Sequence, residues 1–238
     1  MSSASFTNAG PVGPASEPII SARDLTRVFG AGEKRVVAVN RVTMDISQGE
    51  ILAVVGRSGS GKTTLLNLLS GLDRPTSGEV LFRGRDLAAF TEAGLVDLRR
   101  HKIGFVFQSF GLMPLLSAQE NVELPLHLSG LPWRERRRRA SEALELVGLR
   151  SRARHRPYEL SGGEQQRASI ARALVTGPEV VFADEPTGEL DTTTAGSIAA
   201  ILREMAVERG TTVIIATHDP VLAEICARTM ELVDGALA

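Results

Sequence analysis

One short stretch, ILAVVGRSGSGKTTLLNLLSGL, constrains the fold of this chain more than any other part of it. Residues 51–55 form a continuous apolar run, which is typical of a buried parallel strand. The glycine-rich segment 56–63 follows, and the leucines within 65–69 then give a helical pattern that stops at Gly71. In a P-loop, a strand, a glycine-rich loop and a helix occur in this order, and backbone N–H groups converge on one phosphate. The sequence therefore predicts an α/β fold with a RecA-like P-loop NTPase core and a mixed sheet.

The loop residues indicate which ligand this core would hold. We expect Lys62 to reach the β- and γ-phosphates of ATP, and the Thr63 hydroxyl to ligate Mg²⁺. The other expected contacts to the nucleotide come from the same loop and the first turn of its helix: Gly56, Arg57, Ser58, Gly59, Ser60, Gly61 and Thr64. ATP and Mg²⁺ are therefore the predicted ligands.

Polar residues follow three further apolar runs. Asp184 and Glu185 end the run VVFADE, Gln108 ends IGFVFQ, and His218 ends TTVIIATH. Taken one at a time, each of them could be an ordinary solvated residue at the end of a strand. Because the carboxyl ends of parallel strands share one edge, where α/β sheets bind ligands, we expect these residues to join Lys62 in one site.

The chemistry of these four side chains suggests a separate role for each. Asp184 is placed to hold Mg²⁺ through water, as a Walker B aspartate does. Glu185, next to it, would polarise the attacking water as a general base. The neutral amide of Gln108 can orient that water or contact the metal without adding charge. His218 completes the predicted catalytic set.

A second segment, ELSGGEQQRASIARALVTGP, suggests another site for an anion. Ser161 and Glu164 match a capping box, so a helix is expected to begin at about Gly162, and Ser117 with Glu120 matches another such box. The two adjacent glycines cost a helix about 0.5–1 kcal/mol each relative to alanine, and a capping box does not need them. We therefore interpret Gly162 and Gly163 as allowing a phosphate to approach closely. The alternative is a well-capped helix with no ligand.

In this order and at this spacing, the motifs resemble those of the ABC-type ATPases. The matching parts are a Walker A motif at 56–63, a Q-loop at Gln108, a signature sequence at 160–165, a Walker B strand with its glutamate at 180–185, a D-loop at 188–191 and a switch histidine at His218. The resemblance covers about residues 19–235. It implies one ABC ATPase domain over 19–238, with its core in 19–107 and 177–238 and an inserted α-helical subdomain in 108–176. Residues 1–18 are predicted to be a disordered tail.

The resemblance also assigns the second anion site to another subunit. In this family two copies pair head to tail, and the signature sequence of one copy closes over the ATP held by the other. It thus implies nucleotide contacts from Ser161, Gly162, Gly163, Glu164 and Asp191. Phe29 stands near the position where many relatives place a tyrosine that stacks on adenine. We expect Phe29 to stack in the same way, unless it belongs to the core.

The composition excludes several other classes of partner and location. The net charge is −1, from 27 basic and 28 acidic residues, so nothing in it favours nucleic acid. The arginine run at 136–139 is interpreted as a solvated helix face, and Leu144, Leu146 and Val147 after it are interpreted as packing residues. No apolar run approaches the roughly 20 residues that cross a bilayer. Cys226 is the single cysteine, which rules out an internal disulfide and favours the cytosol.

Two loops narrow the resemblance to a subgroup. The segments QSFGLMPLLSAQENVELPL and LDRPTSGEVLFRG are similar to those of ATPases from lipoprotein-releasing and macrolide-exporting systems. The similarity implies an integral membrane permease as partner, with the ATPase peripheral on the cytoplasmic face of the inner or plasma membrane. Four apolar residues after the Q-loop are expected either in a groove that receives the permease or in the local core: Phe110, Leu112, Met113 and Leu115.

Two other functions are compatible with the same motifs. One is an ATPase of a membrane signalling or cell-division complex that transports nothing, and similar loops occur in such proteins. The other is a soluble ABC ATPase of DNA repair or translation, which usually has a second ATPase domain or a long coiled-coil insert that this sequence lacks. A GTPase is disfavoured because there is no N-K-x-D motif for guanine. An exporter subunit is favoured through the loop resemblance.

Overall fold

In the computed structural model residues 18–238 are described, so the tail predicted over residues 1–18 lies outside the described residues except for Pro18. The strands are β1 (Ile20–Phe29), β2 (Val36–Ile46), β3 (Ile51–Val55), β4 (Ser77–Phe82), β5 (Arg85–Asp86), β6 (Ile103–Val106), β7 (Val180–Asp184), β8 (Thr212–Thr217), β9 (Arg228–Val233) and β10 (Ala236–Leu237). The helices are α1 (Lys62–Leu69), α2 (Glu92–Lys102), α3 (Ala118–Leu128), α4 (Trp133–Leu146), α5 (Gly162–Leu174), α6 (Thr192–Arg209) and α7 (Pro220–Glu224). Within 18–238, none of these helices is both long enough and apolar enough to cross a membrane.

The strands form two sheets. The larger has the order β10-β9-β3-β8-β7-β6, in which β10 is antiparallel to its neighbour and the other pairs are parallel. The predicted α/β fold with a mixed sheet is thereby confirmed. The smaller sheet is antiparallel, with the order β2-β1-β4-β5. Sequence analysis did not predict this second sheet. Strand β2 alternates buried with exposed side chains over much of its length and so forms no continuous apolar run.

The larger sheet separates two apolar layers. On β7, Val180 and Phe182 pack into the layer that contains α1 and the antiparallel sheet, whereas Val181 and Ala183 pack among the helices from α3 to α6. Successive side chains of a strand point to opposite faces. A strand covered on both faces must therefore be apolar at every position, which is why the central strands were visible in the sequence.

Three helices, α3 to α5, connect β6 to β7 and lie within the segment predicted to form the helical subdomain. Capping boxes begin α3 at Ser117 and α5 at Ser161, as the sequence predicts. Helix α5 also packs directly on β6 at Gly104. A Cβ atom on that glycine would lie 2.4 Å from the carbonyl oxygen of Ala173. The absence of a side chain at Gly104 thus sets how closely α5 approaches the sheet.

In the arginine run of α4, Arg137, Arg138 and Arg139 are exposed, as predicted, whereas Arg136 is half-buried and donates to the carbonyl oxygen of Leu131 at 2.9 Å. Arg138 is exposed and donates to Glu135 and Glu142 across one turn in each direction, at 2.7 Å in both cases. These acidic neighbours satisfy the guanidinium within the helix. The expectation that Leu146 packs in the core is wrong, because its side chain is 50% exposed, whereas Leu144 is fully buried.

Candidate active site

The loop between β3 and α1 forms a cradle whose shape depends on two glycines. Gly56 and Gly61 have φ angles of 156° and 104°. A Cβ atom on Gly61 would lie 2.1 Å from the carbonyl oxygen of Ala38, and one on Gly56 would lie 2.4 Å from that of Leu232. Helix α1 begins at Lys62, and no side chain among the described residues caps it. Its first backbone N–H groups therefore lack a side-chain acceptor, which suits them to an anion.

A cleft of about 760 Å³ opens over this cradle. It brings together residues that were predicted from separate motifs: Arg57, Ser58, Gly59, Gly61, Lys62, Thr63, Thr64, Gln108, Glu185 and His218. It also contains residues that the sequence did not single out: Val36, Val37, Ala38, Asp234 and Gly235. These come from β2 and from the turn between β9 and β10, which carry no motif. The two valines are exposed, and apolar exposure at the mouth of a cleft is visible only in the folded chain.

Lys62, Glu185 and His218 form a contact network on the floor of this cleft. The Lys62 side chain is only 7% exposed, and its Nζ lies 3.3 Å from Glu185 Oε1. It also donates to the carbonyl oxygen of Gly56 at 2.8 Å. The other carboxylate oxygen of Glu185 lies 2.9 Å from His218 Nδ1. Both carboxylate oxygens of Glu185 are thus engaged by neighbouring side chains.

The backbone at Glu185 is in a sparsely populated conformation. Its φ angle is 45°, in the left-handed region, where a residue other than glycine costs about 1–3 kcal/mol. The Glu185 N–H donates to the carbonyl oxygen of Ala216 on the neighbouring strand β8 at 2.8 Å. The surrounding sheet therefore holds Glu185 in this conformation, which aims its carboxylate at Lys62.

Asp184 and Thr63 provide oxygen atoms that suit a small divalent cation. The Thr63 hydroxyl donates to Asp184 Oδ2 at 2.8 Å, while Asp184 Oδ1 is buried and has no hydrogen-bond partner among residues 18–238. The pKa of Asp184 is raised, mainly because burial desolvates its carboxylate. The charge of Glu185 raises it further, whereas the hydrogen bond from Thr63 and the charge of Lys62 lower it without reversing the shift. Mg²⁺ takes oxygen ligands and usually keeps several waters, so a single carboxylate with one hydroxyl fits it.

The predicted signature residues do not line the cleft of their own chain. Ser161 and Glu164 cap α5 reciprocally: Ser161 N–H donates to Glu164 Oε2 at 2.8 Å, and Glu164 N–H donates to Ser161 Oγ at 3.3 Å. Arg152 also pairs with Glu164 at 3.0 Å. The backbone hydrogen bond from Ser161 and the contacts with Arg152 hold the pKa of Glu164 below its usual value, although burial opposes them. The start of α5 is thus built independently of any ligand.

The two glycines of this segment differ in what the fold requires of them. A Cβ atom on Gly163 would lie 2.5 Å from Thr194 Cγ2, so a larger residue there would require the Thr194 side chain on α6 to move. A Cβ atom on Gly162 would make only an ordinary contact, 3.5 Å from Leu190 Cδ2. Gly163 thus has a structural reason within the chain, and the interpretation that both glycines let a phosphate approach stays a prediction. Gly162 has no such reason.

Two other predicted nucleotide contacts have clear structural partners. Asp191 caps α6 and accepts from Thr194 N–H at 3.0 Å and from the Thr194 hydroxyl at 2.7 Å. Phe29 pairs in register with Val36, which lines the cleft, but Phe29 is not itself part of the lining. The Arg27 guanidinium lies over the Phe29 ring, 4.5 Å from its centroid. Phe29 is 42% exposed, so the alternative that it belongs to the core is wrong.

Comparison with known proteins agrees with this geometry. Residues 39–188 match the ABC transporter family. The chain is 47% identical over 232 residues to the lipoprotein-releasing system ATP-binding protein LolD of Chromohalobacter salexigens, with 98% of each chain covered. It is 45% identical over 220 residues to the macrolide export ATP-binding/permease protein MacB of Marinobacter nauticus, covering 92% of this chain but 34% of that protein. It thus spans nearly all of the first relative and about a third of the second.

Solved structures show the same fold. The ATP-binding cassette MJ0796, in a dimeric post-hydrolysis state bound to ADP and Pi, superposes with a TM-score of 0.86 at 41% identity. The match covers 92% of this chain and 96% of that one. A second dimeric structure of MJ0796 also gives a TM-score of 0.86, at 42% identity.

The contact between Gly163 and Thr194 can be tested by a pair of substitutions. We expect Gly163→Ala to lower the free energy of unfolding by about 1–3 kcal/mol, as overpacking does. Thr194→Ser in the same protein should recover most of this loss, because serine lacks the obstructing methyl group but keeps the hydroxyl that binds Asp191. Gly162→Ala is the matched control and should not destabilise the chain. Chemical denaturation measures all four proteins, and a Gly163→Ala variant as stable as the wild type would contradict the steric argument.

The buried carboxylate of Asp184 should lower the stability of the nucleotide-free protein. We expect Asp184→Asn to raise the midpoint of thermal unfolding without Mg²⁺ or nucleotide, because it removes a desolvated charge and keeps an acceptor for Thr63. Asp184→Ala, which leaves the Thr63 hydroxyl without that acceptor, should be less stable than Asp184→Asn. Differential scanning calorimetry compares the three proteins. A lower midpoint for Asp184→Asn than for the wild type would show that Lys62 compensates the charge fully.

Proposed function

This chain belongs to the ABC transporter family, and we propose that it is the ATP-hydrolysing subunit of an export system, driving a separately encoded membrane permease. The observation that carries the proposal is the cleft in which the P-loop lysine, Lys62, meets Glu185 and His218. This arrangement places a phosphate-binding cation beside a carboxylate that can act as a base. The near full-length similarity to a lipoprotein-releasing ATPase supports the assignment to export.

In the proposed reaction ATP is the substrate, and the cradle of the P-loop binds its phosphates. Lys62 exchanges its contact with Glu185 for the β- and γ-phosphates. The freed Glu185 carboxylate then takes a proton from the attacking water, while His218 steadies the γ-phosphate. Gln108 lines the same cleft and helps to orient that water. Fixed charges and N–H groups aimed at the phosphates contribute most of the rate enhancement.

Thr63 and Asp184 would hold Mg²⁺, and Gln108 is a third candidate ligand. When bound, the ion neutralises phosphate charge and orients the phosphate oxygens. The unpartnered Asp184 Oδ1 and the neighbouring Thr63 hydroxyl are the observations that support this site. The buried charge of Asp184 would then have a counter-ion in the loaded protein.

We propose that the active form is a head-to-tail dimer of this chain. The signature residues Ser161, Gly162, Gly163 and Glu164, together with Asp191, do not line their own cleft, so they are available to the ATP of a second copy. Gly162 supports this proposal most directly, because its own fold does not demand a glycine. Dimeric structures of a cassette 41–42% identical to this chain support the pairing.

The permease would dock in an apolar groove of about 420 Å³, formed by α2 and β6 on one side and α3 and α5 on the other. Exposed apolar side chains line it: Leu72, Val96, Phe107 and Leu128. The four residues expected from the sequence do not belong to this lining: Phe110, Leu112, Met113 and Leu115. Phe110 and Leu112 are half-buried, whereas Met113 and Leu115 are exposed. Docking here places the protein on the cytoplasmic face of the membrane that holds the permease.

The dimer and the catalytic base can be tested together. We expect Glu185→Gln to bind ATP, to form a stable dimer and to hydrolyse about a hundredfold more slowly, because it has lost its general base. Adding Ser161→Arg should prevent dimerisation without changing ATP affinity. Ser161→Ala is the matched control, since it loses the same helix cap without adding a bulky cation. Light scattering and nucleotide titration measure the outcome. Full hydrolysis by Glu185→Gln would remove Glu185 from the proposed role.

The proposed partner can be identified by affinity capture. Tagged Glu185→Gln protein is purified with ATP from detergent-solubilised native membranes, and its partners are identified by mass spectrometry. A polytopic membrane protein that co-purifies with ATP, but not with the monomeric Glu185→Gln/Ser161→Arg protein, is the expected result. An ATP-stabilised dimer with no membrane partner would contradict the transport function. A membrane partner without a transport pathway would instead favour a signalling or cell-division complex.

A further inference from the structure

Arg172, near the end of α5, is a half-buried cation whose hydrogen-bond partners among residues 18–238 are all neutral. Its guanidinium donates to the carbonyl oxygens of Gly111 and Phe110, the latter at 3.0 Å, and weakly to the Ser169 hydroxyl at 3.4 Å. Burial lowers the pKa of Arg172, which nevertheless stays charged because a guanidinium titrates far above neutral pH. A charge taken out of water without a carboxylate is costly, so the fold tolerates it only for a reason.

The two carbonyl groups that Arg172 holds belong to two consecutive left-handed residues at the end of a tight turn. Phe110 and Gly111 both have a φ angle of 59°. A hydrogen bond from Phe110 N–H to the carbonyl oxygen of Phe107, at 3.2 Å, closes the preceding turn over Gln108 and Ser109, and Gly111 N–H donates to the carbonyl oxygen of Ser109 at 2.5 Å. A left-handed residue other than glycine persists only when its surroundings hold it. The planar guanidinium of Arg172 stabilises this conformation. Its Nη2 lies 3.4 Å from the position of a Cβ on Gly111.

This turn connects three parts of the molecule. Gln108, two residues before Phe110, lines the nucleotide cleft. The Phe110 ring lies against the start of α5, with its Cζ 3.7 Å from the position of a Cβ on Gly162. Gly111 and Arg172 line the apolar groove on the other side. A single guanidinium therefore fixes the groove wall, the Gln108 segment and the start of α5 relative to one another.

We propose that Arg172 is a positioning residue for ATP hydrolysis, which acts by holding the Phe110–Gly111 turn so that Gln108 keeps its place in the cleft. This proposal rests on the ATPase function proposed above. Arg172 lies in the groove and does not line the cleft, so its effect on the reaction passes through Gln108. The binding of ATP by the P-loop does not depend on it.

The test measures steady-state ATP hydrolysis by the full chain carrying Arg172→Ala. We expect kcat to fall about tenfold to a hundredfold, because a small displacement of Gln108 from the reacting atoms lowers the rate by such factors. The KM for ATP should stay within about twofold of the wild-type value, because the cradle is intact. Arg203→Ala, which removes an exposed arginine from α6, is the matched control and should hydrolyse ATP normally. If neither the wild type nor this control hydrolyses ATP, the result contradicts the proposed ATPase function. The role of Arg172 is contradicted only when both of these proteins are active and Arg172→Ala is as active as they are.

Two further measurements separate positioning from general damage. Methylguanidinium, which can enter through the groove, should restore part of the kcat of Arg172→Ala, whereas methylammonium, which lacks the planar fork, should not. Because Arg172 acts through Gln108, the double variant Gln108→Ala/Arg172→Ala should hydrolyse ATP no more slowly than Gln108→Ala alone. Three results would each overturn the proposal. They are a wild-type kcat in Arg172→Ala, additive losses of kcat in the double variant, and equal rescue by the two added cations.

If Arg172→Ala does not fold, Arg172→Lys replaces it in the same assay. Lysine keeps the charge but presents one ammonium in place of the rigid fork, so it cannot hold both carbonyl groups in the same geometry. We expect an unchanged thermal midpoint and a reduced kcat with an unchanged KM. A wild-type kcat in Arg172→Lys would overturn the proposal.

Discussion

The parallel register of β3, β8, β7 and β6 is the constraint on which the active site depends. Val55 pairs with Thr217, Asp184 with Ala216, and Val106 with Ala183. The strands therefore end at one level, and the next residues of each emerge at the same edge of the sheet. A slip of one residue in any of these pairs would turn its polar residue to the other face. The apolar layers on both sides of the sheet prevent such a slip, so the packed core sets the positions of the catalytic groups.

Several unfavourable features of the structure lie where that edge meets the P-loop. Lys62 is almost fully buried, and the Oγ of Ser60 and the Oδ1 of Asp184 are buried without hydrogen-bond partners in the described chain. Glu185 and Phe110 are both held in left-handed conformations. A fold under selection for stability alone would remove these features. Each of them instead suits a site that gains its missing partners when a nucleotide and a cation bind.

Helix α5 links the two surfaces that a dimeric ATPase with a membrane partner would need. Its first residues form the exposed capping box that we assign to the nucleotide of a second copy. Near its other end, Arg172 lines the groove that we assign to the permease. The contact of Gly104 with Ala173, the residue after Arg172, fixes this end of the helix against β6. A rigid helix anchored in this way can transmit a displacement at one end to the other.

Local patterns in the sequence were enough to predict the P-loop, the central strands, the capped starts of α3 and α5, and most of the residues that meet in the cleft. These features depend on glycine spacing, apolar periodicity and capping chemistry, which act over a few consecutive residues. The second sheet, the contribution of β2 to the cleft, the exposure of Leu146 and the reason for Gly163 were not predictable in this way. They depend on contacts between segments far apart in the chain, such as Thr194 against Gly163 or Arg172 against Phe110. No local pattern encodes such a contact, because it exists only once the packing of the core has brought both segments to the same place.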